Sequence, residues 1–166
     1  MATDPAGILL SIKPKWAELI LAGSKTVELR RVTPKRLKPG MAVVLYETGN
    51  GIVGEAECER VERWRTALGR YCRYDGSFDE DGWYAAAGLT RFEAERYWRG
   101  FQSASACAIW LHGAVRYPRT IPLPIMRGMV SEGRWLDAPR SFHYLTAYQL
   151  AAIRREAGMG GPRCSD

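Results

Sequence analysis

The stretch Gly23-Ser24-Lys25-Thr26-Val27-Glu28-Leu29-Arg30 decides how this chain is read. A glycine closes one segment, and a strand opens almost at once with a lysine in the turn. Val27 and Leu29 face one way while Thr26, Glu28 and Arg30 face the other, as the period of two along a strand requires. The pattern predicts a half-buried strand over 25–30 whose second face is charged. Lys25 has the opposite parity to Glu28 and Arg30, so only the turn at Gly23 can aim it toward them. Three such side chains can hold a polar ligand. Lys25 offers a mobile positive charge for a phosphate or oxyanion. Arg30 offers a planar fork of donors. Glu28 can orient either cation, accept from a base amino group, or act as a base. The competing reading is that Glu28 and Arg30 merely pair on a solvated strand face.

Upstream, Ile8 to Lys13 reads ILLSIK, an apolar run suited to a buried strand. Pro14 fits the first turn of a helix over 14–22, with Trp16, Leu19 and Ile20 as its apolar stripe and Gly23 as its stop. Downstream, Val32 to Gly40 is a basic loop. Ala42 to Tyr46 (AVVLY) reads as a buried strand, and Gly49-Asn50-Gly51 as the turn after it. Ile52 to Trp64 reads as a long strand. Its apolar residues Val53, Ala56, Cys58 and Val61 do not alternate cleanly, which calls for a bulge.

Residues 65–102 read as a helical insertion, within which Thr90 and Glu93 form a capping box. Ala106 to Leu111 reads as another buried strand, with Val115 to Pro118 continuing or pairing with it. Ile121 to Met129 is proline-rich and expected to be irregular. Pro139 to Leu145 leads into a helix from Thr146 to about Ala157, and Gly158 to Asp166 reads as a disordered tail. The 166 residues fit a single domain, 1–166, with a core over about 7–153.

Composition narrows the class. Hydrophobic residues at 46% and charged residues at 25% are ordinary for a globular chain. The net charge of +6 favours an anionic partner without naming one. No run of 18 apolar residues exists, so no membrane partner is expected, and Met1 to Gly7 has no secretory pattern; the expected location is the cytoplasm. Cys58, Cys72, Cys107 and Cys164 lack CxxC spacing, and His112 and His143 stand apart, so neither a metal site nor a cofactor is expected. All four cysteines are read as reduced thiols. No local motif supports a Ser-His-Asp or Cys-His arrangement.

The cationic surplus is local. Arg30, Arg31, Lys35, Arg36 and Lys38 crowd one stretch, and no acid occurs between Glu28 and Glu47. A loop of that kind tracks phosphates, or is simply a solvated surface. Arg63-Trp64-Arg65 and Arg70-Tyr71-Cys72-Arg73-Tyr74 interleave charge with rings, as single-stranded RNA recognition does, or else form an amphipathic insertion packed on the core.

Gly23, Lys25, Glu28 and Arg30 together match G-x-K-x-x-E-x-R, and in this the chain resembles the ASCH domain family of the PUA-like superfamily. LLSIKPKWAELILAG before the motif and KPGMAVVLYETG after it look like the family's flanking elements. APRSFHYL resembles a late element of related PUA-like groups. The resemblance covers roughly residues 7–153. It implies an α+β fold: a PUA-like mixed β-barrel of five or six strands with flanking helices, and a cleft lined by the motif. It also implies RNA binding. Some members are hydrolases, one subgroup acting on an acylated cytidine and another on single-stranded RNA. The amidohydrolase subgroup carries a threonine where this chain has Glu28 and a glutamate near the position of Ala87, which weakens that reading here.

The expectation is therefore a protein that binds RNA or a nucleotide, with a modified base as one kind of target. The expected ligand-binding residues are Lys13, Trp16, Lys25, Glu28, Arg30, Arg31, Lys35, Arg36, Tyr46 and Ser141. Trp16 would stack on a base, or else belong to the core. Lys25 and Glu28 would be catalytic only if the cleft is that of an enzyme, either an amidohydrolase on N4-acylated cytidine or a single-strand ribonuclease. A DNA-binding regulatory protein is the remaining alternative. The oligomeric state is not set by the sequence.

Overall fold

The computed structural model describes residues 4–67, 70–73, 84–90, 92–93, 96, 105–131 and 134–159. Its strands are β1 (Gly7–Ile12), β2 (Val27–Arg30), β3 (Ala42–Glu47), β4 (Gly51–Ala67), β5 (Arg70–Arg73), β6 (Ser105–Ile121), β7 (Val130–Ser131), β8 (Arg134–Trp135) and β9 (Phe142–Leu145). The helices are α1 (Pro14–Leu21), α2 (Leu123–Gly128) and α3 (Ala147–Glu156). A further helical turn covers 84–86.

One mixed sheet runs in the order β2-β6-β4-β3-β1-β9, with β5 pairing to the far end of β4, and β7 and β8 form a small hairpin. β1 and β3 pair in parallel, Gly7 opposite Ala42 and Ile12 opposite Glu47. That pairing explains their unbroken apolar runs, because strands buried on both faces need no polar alternation. Ile8, Leu10, Val43 and Leu45 point to the inner face of the curled sheet with Val53, Ile109 and Leu111, where Ala17 and Ile20 of α1 join them. Leu9, Val44 and Tyr46 point outward to Met126 of α2 and to Leu150 and Ile153 of α3. A third cluster lies outside β2, where Val27, Leu29 and Ala108 are covered by Ala87.

The sheet is an α+β half-barrel whose edge strands, β2 and β9, share no hydrogen-bonded register among the described residues. Side chains span the gap instead. The guanidinium Nη2 of Arg30 in β2 donates to the Ser11 carbonyl in β1. The backbone N–H of Arg36 donates to the Tyr144 hydroxyl in β9 at 3.0 Å.

β4 and β6 form one long antiparallel ribbon, and its register slips between Ile52 and Gly54, Glu55 and Glu57, and Cys58 and Arg60. These irregularities are the bulge that the broken alternation of 52–64 called for. The expected capping box is present at Thr90 with Glu93, and a second one, of Thr146 with Gln149, opens α3.

The structure corrects three expectations. Residues 123–128 form α2 rather than irregular chain, because Pro124 sits in the first turn, where a missing N–H costs nothing. The insertion is not wholly helical, since Arg70–Arg73 is a strand laid along β4. Strand β2 begins at Val27 rather than Lys25. Much of 65–102, and the tail beyond Met159, lie outside the described residues.

Candidate functional site

The end of α1 sets up the site. Gly23 adopts φ +76°, its N–H donates to the Ile20 carbonyl at 2.9 Å, and the Ser24 N–H donates to the Leu19 carbonyl at 3.0 Å. This is a Schellman closure, and the left-handed residue it needs is glycine at little cost. The Lys25 N–H donates to the same Leu19 carbonyl. The reversal carries Lys25 back over the start of β2, so its parity along the strand no longer matters.

Glu28 and Arg30 lie opposite Ile109 and Cys107 of β6, on the inner face of the half-barrel. The charged face of β2 is therefore turned inward. Lys25 is 4% exposed and Glu28 is 8% exposed, which rules out the solvated-face reading. The Lys25 ammonium donates to the carbonyls of Val27 at 2.5 Å and Ala87 at 2.8 Å, and lies 3.3 Å from Oε2 of Glu28. Those three acceptors match its three protons. The other oxygen of Glu28, Oε1, lies 3.2 Å from Nε of Arg30. One carboxylate is thus held between two cations. Burial pulls the Lys25 ammonium below the ordinary lysine range, and Glu28 opposes that pull.

Above these charges opens a cavity of about 420 Å³, lined by Ser11, Lys13, Trp16 and Thr48 as well as the charged trio, with Leu89 and Arg140 on its walls. That volume suits a small organic ligand. The lining carries four cationic side chains and one carboxylate, so its field favours an anion. Trp16 is half-buried against the inner core, with the Lys25 ammonium 5.3 Å and the Lys15 ammonium 4.6 Å from its ring centroid.

Residues 10–95, more than half of the chain, match the sequence model of the ASCH domain. This chain belongs to the ASCH family. The fold agrees: the crystal structure of ASCH from Zymomonas mobilis matches with a TM-score of 0.69 at 19% identity, over 90% of this chain and 94% of that one. Two single-substitution variants of that protein match with TM-scores of 0.68, also at 19% identity. The tyrosine-to-phenylalanine variant matches over 90% of this chain and 97% of its own, and the serine-to-alanine variant over 93% and 99%. At that identity the likeness is one of fold. No curated protein matches the chain in sequence.

This ASCH domain brings Lys13, Trp16, Lys25, Glu28 and Arg30 to one cavity. It does not bring Tyr46 there: the parity of β3 turns that ring into the outer core with Leu9 and Leu145. Ser141 does not line the cavity either; its carbonyl accepts from the N–H of Ser11, which does, at 2.9 Å. The neighbouring Arg140 lines the cavity instead. Lys35 and Arg36 are exposed on the basic loop and Arg31 is half-buried at its start. That loop is less uniformly positive than its sequence, because Asp4 comes within 3.1 Å of Lys38 and 4.0 Å of Arg36.

Sequence reasoning missed Arg140, Leu89 and the Ala87 carbonyl. Arg140 stood beside a residue that was singled out. The Ala87 carbonyl is backbone and carries no side-chain signal. No helix of the described residues is long and apolar enough to cross a membrane.

Proposed function

We propose that this ASCH domain binds single-stranded RNA, admitting one nucleotide to the cleft while the basic loop meets neighbouring phosphates. The observation that supports this most directly is the Lys25-Glu28-Arg30 trio, its lysine and glutamate buried, beneath a cavity walled by Trp16. Glu28, fixed by its two cations, offers carboxylate oxygens that can accept from a base amino group. Trp16 offers a ring on which a base can stack. A splayed-out base from a single strand fits such a cleft, whereas a base inside a duplex does not reach it.

Fluorescence anisotropy with short single-stranded RNA tests the reading. The expected Kd is about micromolar or tighter at low salt, with log K falling linearly as log salt rises. Arg30→Ala is expected to weaken binding. Failure to bind any RNA at low salt would overturn the proposal. Double-stranded DNA serves as the control for the alternative partner.

A hydrolase in the same cleft is the second reading, favoured by the downward pull of burial on Lys25. Against it, the ammonium protons are already directed at three acceptors, and Ala87 contributes no side-chain acid or base. Turnover of N4-acylated cytidine that vanishes in Lys25→Ala would establish that reading.

A further inference from the structure

We infer that the outer part of the cleft is a phosphate subsite formed by Lys13 and Arg140, so that its preferred ligand is a phosphorylated nucleotide held base inward and phosphate outward. This rests on the reading of the cleft as a nucleotide site and adds the ligand's orientation and chemical class.

The cations that line the cavity fall into two kinds. Lys25 and Arg30 lie deep and share Glu28, and every proton of the Lys25 ammonium has a protein acceptor. A phosphate pushed to that depth would meet the Glu28 carboxylate and would have to displace a carbonyl from Lys25. Like charges at such range repel strongly where burial weakens solvent screening. The floor therefore suits a neutral group with a donor edge.

Lys13 and Arg140 are exposed, line the same cavity, and make no ion pair among the described residues. The ladder between β1 and β9 places them together. Leu10 lies opposite Phe142, and the Ser11 N–H bonds to the Ser141 carbonyl. Lys13 directly follows β1 and Arg140 stands two residues before β9, so both leave the same end of this antiparallel pair. An ammonium and a guanidinium brought to one rim by two strand ends make a two-pronged contact for a phosphate. Among the described residues neither has a partner to give up when it binds.

Calorimetric titration with the ribonucleosides and their 5′- and 3′-monophosphates tests this, in the full chain and in a Lys13→Gln/Arg140→Gln double variant. Both side chains are exposed, so the variant is expected to fold, which circular dichroism checks. At least one monophosphate is expected to bind about tenfold tighter than its parent nucleoside, and the double variant to lose most of that advantage. Equal affinity for nucleoside and monophosphate would overturn the subsite, and so would an advantage that survives in the double variant. If RNA binds but the monophosphate advantage is missing, the subsite alone fails. If nucleosides, monophosphates and RNA all fail to bind, the nucleotide reading of the cleft falls with it.

Discussion

The Lys25 ammonium donates to the backbone carbonyl of Ala87 at 2.8 Å, joining residues 62 positions apart. A second bond, from the Thr26 N–H to the Ala86 carbonyl at 2.9 Å, fixes the same segment. The motif lysine is therefore part of the wall of the cleft as well as of its floor. Removing it should cost both stability and shape.

Lys25→Met is expected to lower stability by about 3 kcal/mol. This is the low end for breaking a buried pair, because Arg30 still faces Glu28. The carbonyls of Val27 and Ala87 would lose their donor. Urea unfolding measures the loss. Lys25→Arg is not expected to restore it, since a planar fork cannot reproduce the three divergent contacts of an ammonium.

Gly23→Ala is expected to cost about 1–2 kcal/mol, the penalty for an L-residue in the left-handed region. Among the described residues no heavy atom beyond the chain neighbours lies within 4 Å of the added Cβ, so the cost is backbone strain rather than collision. The denaturation midpoint should fall with an unchanged m-value.

Asp4→Asn is expected to tighten RNA binding a few-fold, because it frees Lys38 and loosens Arg36. Lys35→Glu combined with Arg36→Glu should do the reverse and flatten the salt dependence. Each lost phosphate contact to a single strand removes about 0.7 from the slope of log K against log salt. Anisotropy titrations at several salt concentrations read both effects.

The buried thiols of Cys58 and Cys107 are each pushed up to about 11 by burial. An unfolded thiol ionises near 9, so the native state retains protons that the unfolded state has lost. That contribution to stability is fully present below pH 9 and disappears as pH rises toward 11. Unfolding midpoints should therefore fall across this window, and less steeply in Cys107→Ala than in the parent chain. Alkylation with peptide mapping should find both cysteines protected in the native protein and reactive once it is unfolded.

Helix α3 is held to β4 and β6 by Glu55. That carboxylate accepts from the Tyr117 hydroxyl at 2.6 Å and from Nη2 of Arg154 at 2.8 Å. Tyr117→Phe is expected to cost about 1 kcal/mol, the usual worth of one such bond. Arg154→Ala should cost less, since that side chain is 44% exposed and solvent screens its pairing with the same carboxylate. Thermal unfolding of both variants measures the difference.

Local chemistry in this chain was legible wherever neighbours in sequence are neighbours in space. The turn at Gly23, the box at Thr90, the helix start at Thr146, and the apolar runs of β1 and β3 are local patterns, and they appear in the structure where the sequence placed them. The alternation of Val27, Glu28, Leu29 and Arg30 also held, because a strand has a fixed period.

Period alone cannot say which face of a strand is inside. The curl of the sheet put Glu28 and Arg30 inward, and the segment around Ala87 covered Val27 and Leu29, so a strand read as half-buried is buried on both sides. Tyr46 went the other way for the same reason, its parity carrying it to the outer core. Asp4 beside Lys38, Arg140 beside the cleft, and the Ala87 carbonyl on Lys25 are meetings of distant chain. The sequence by itself determined the elements outside 65–102 and 121–129, the turn and the charged trio. The tertiary structure decided which charges are buried, which are neutralised and which stay exposed at the rim, because burial and pairing depend on segments that only folding brings together.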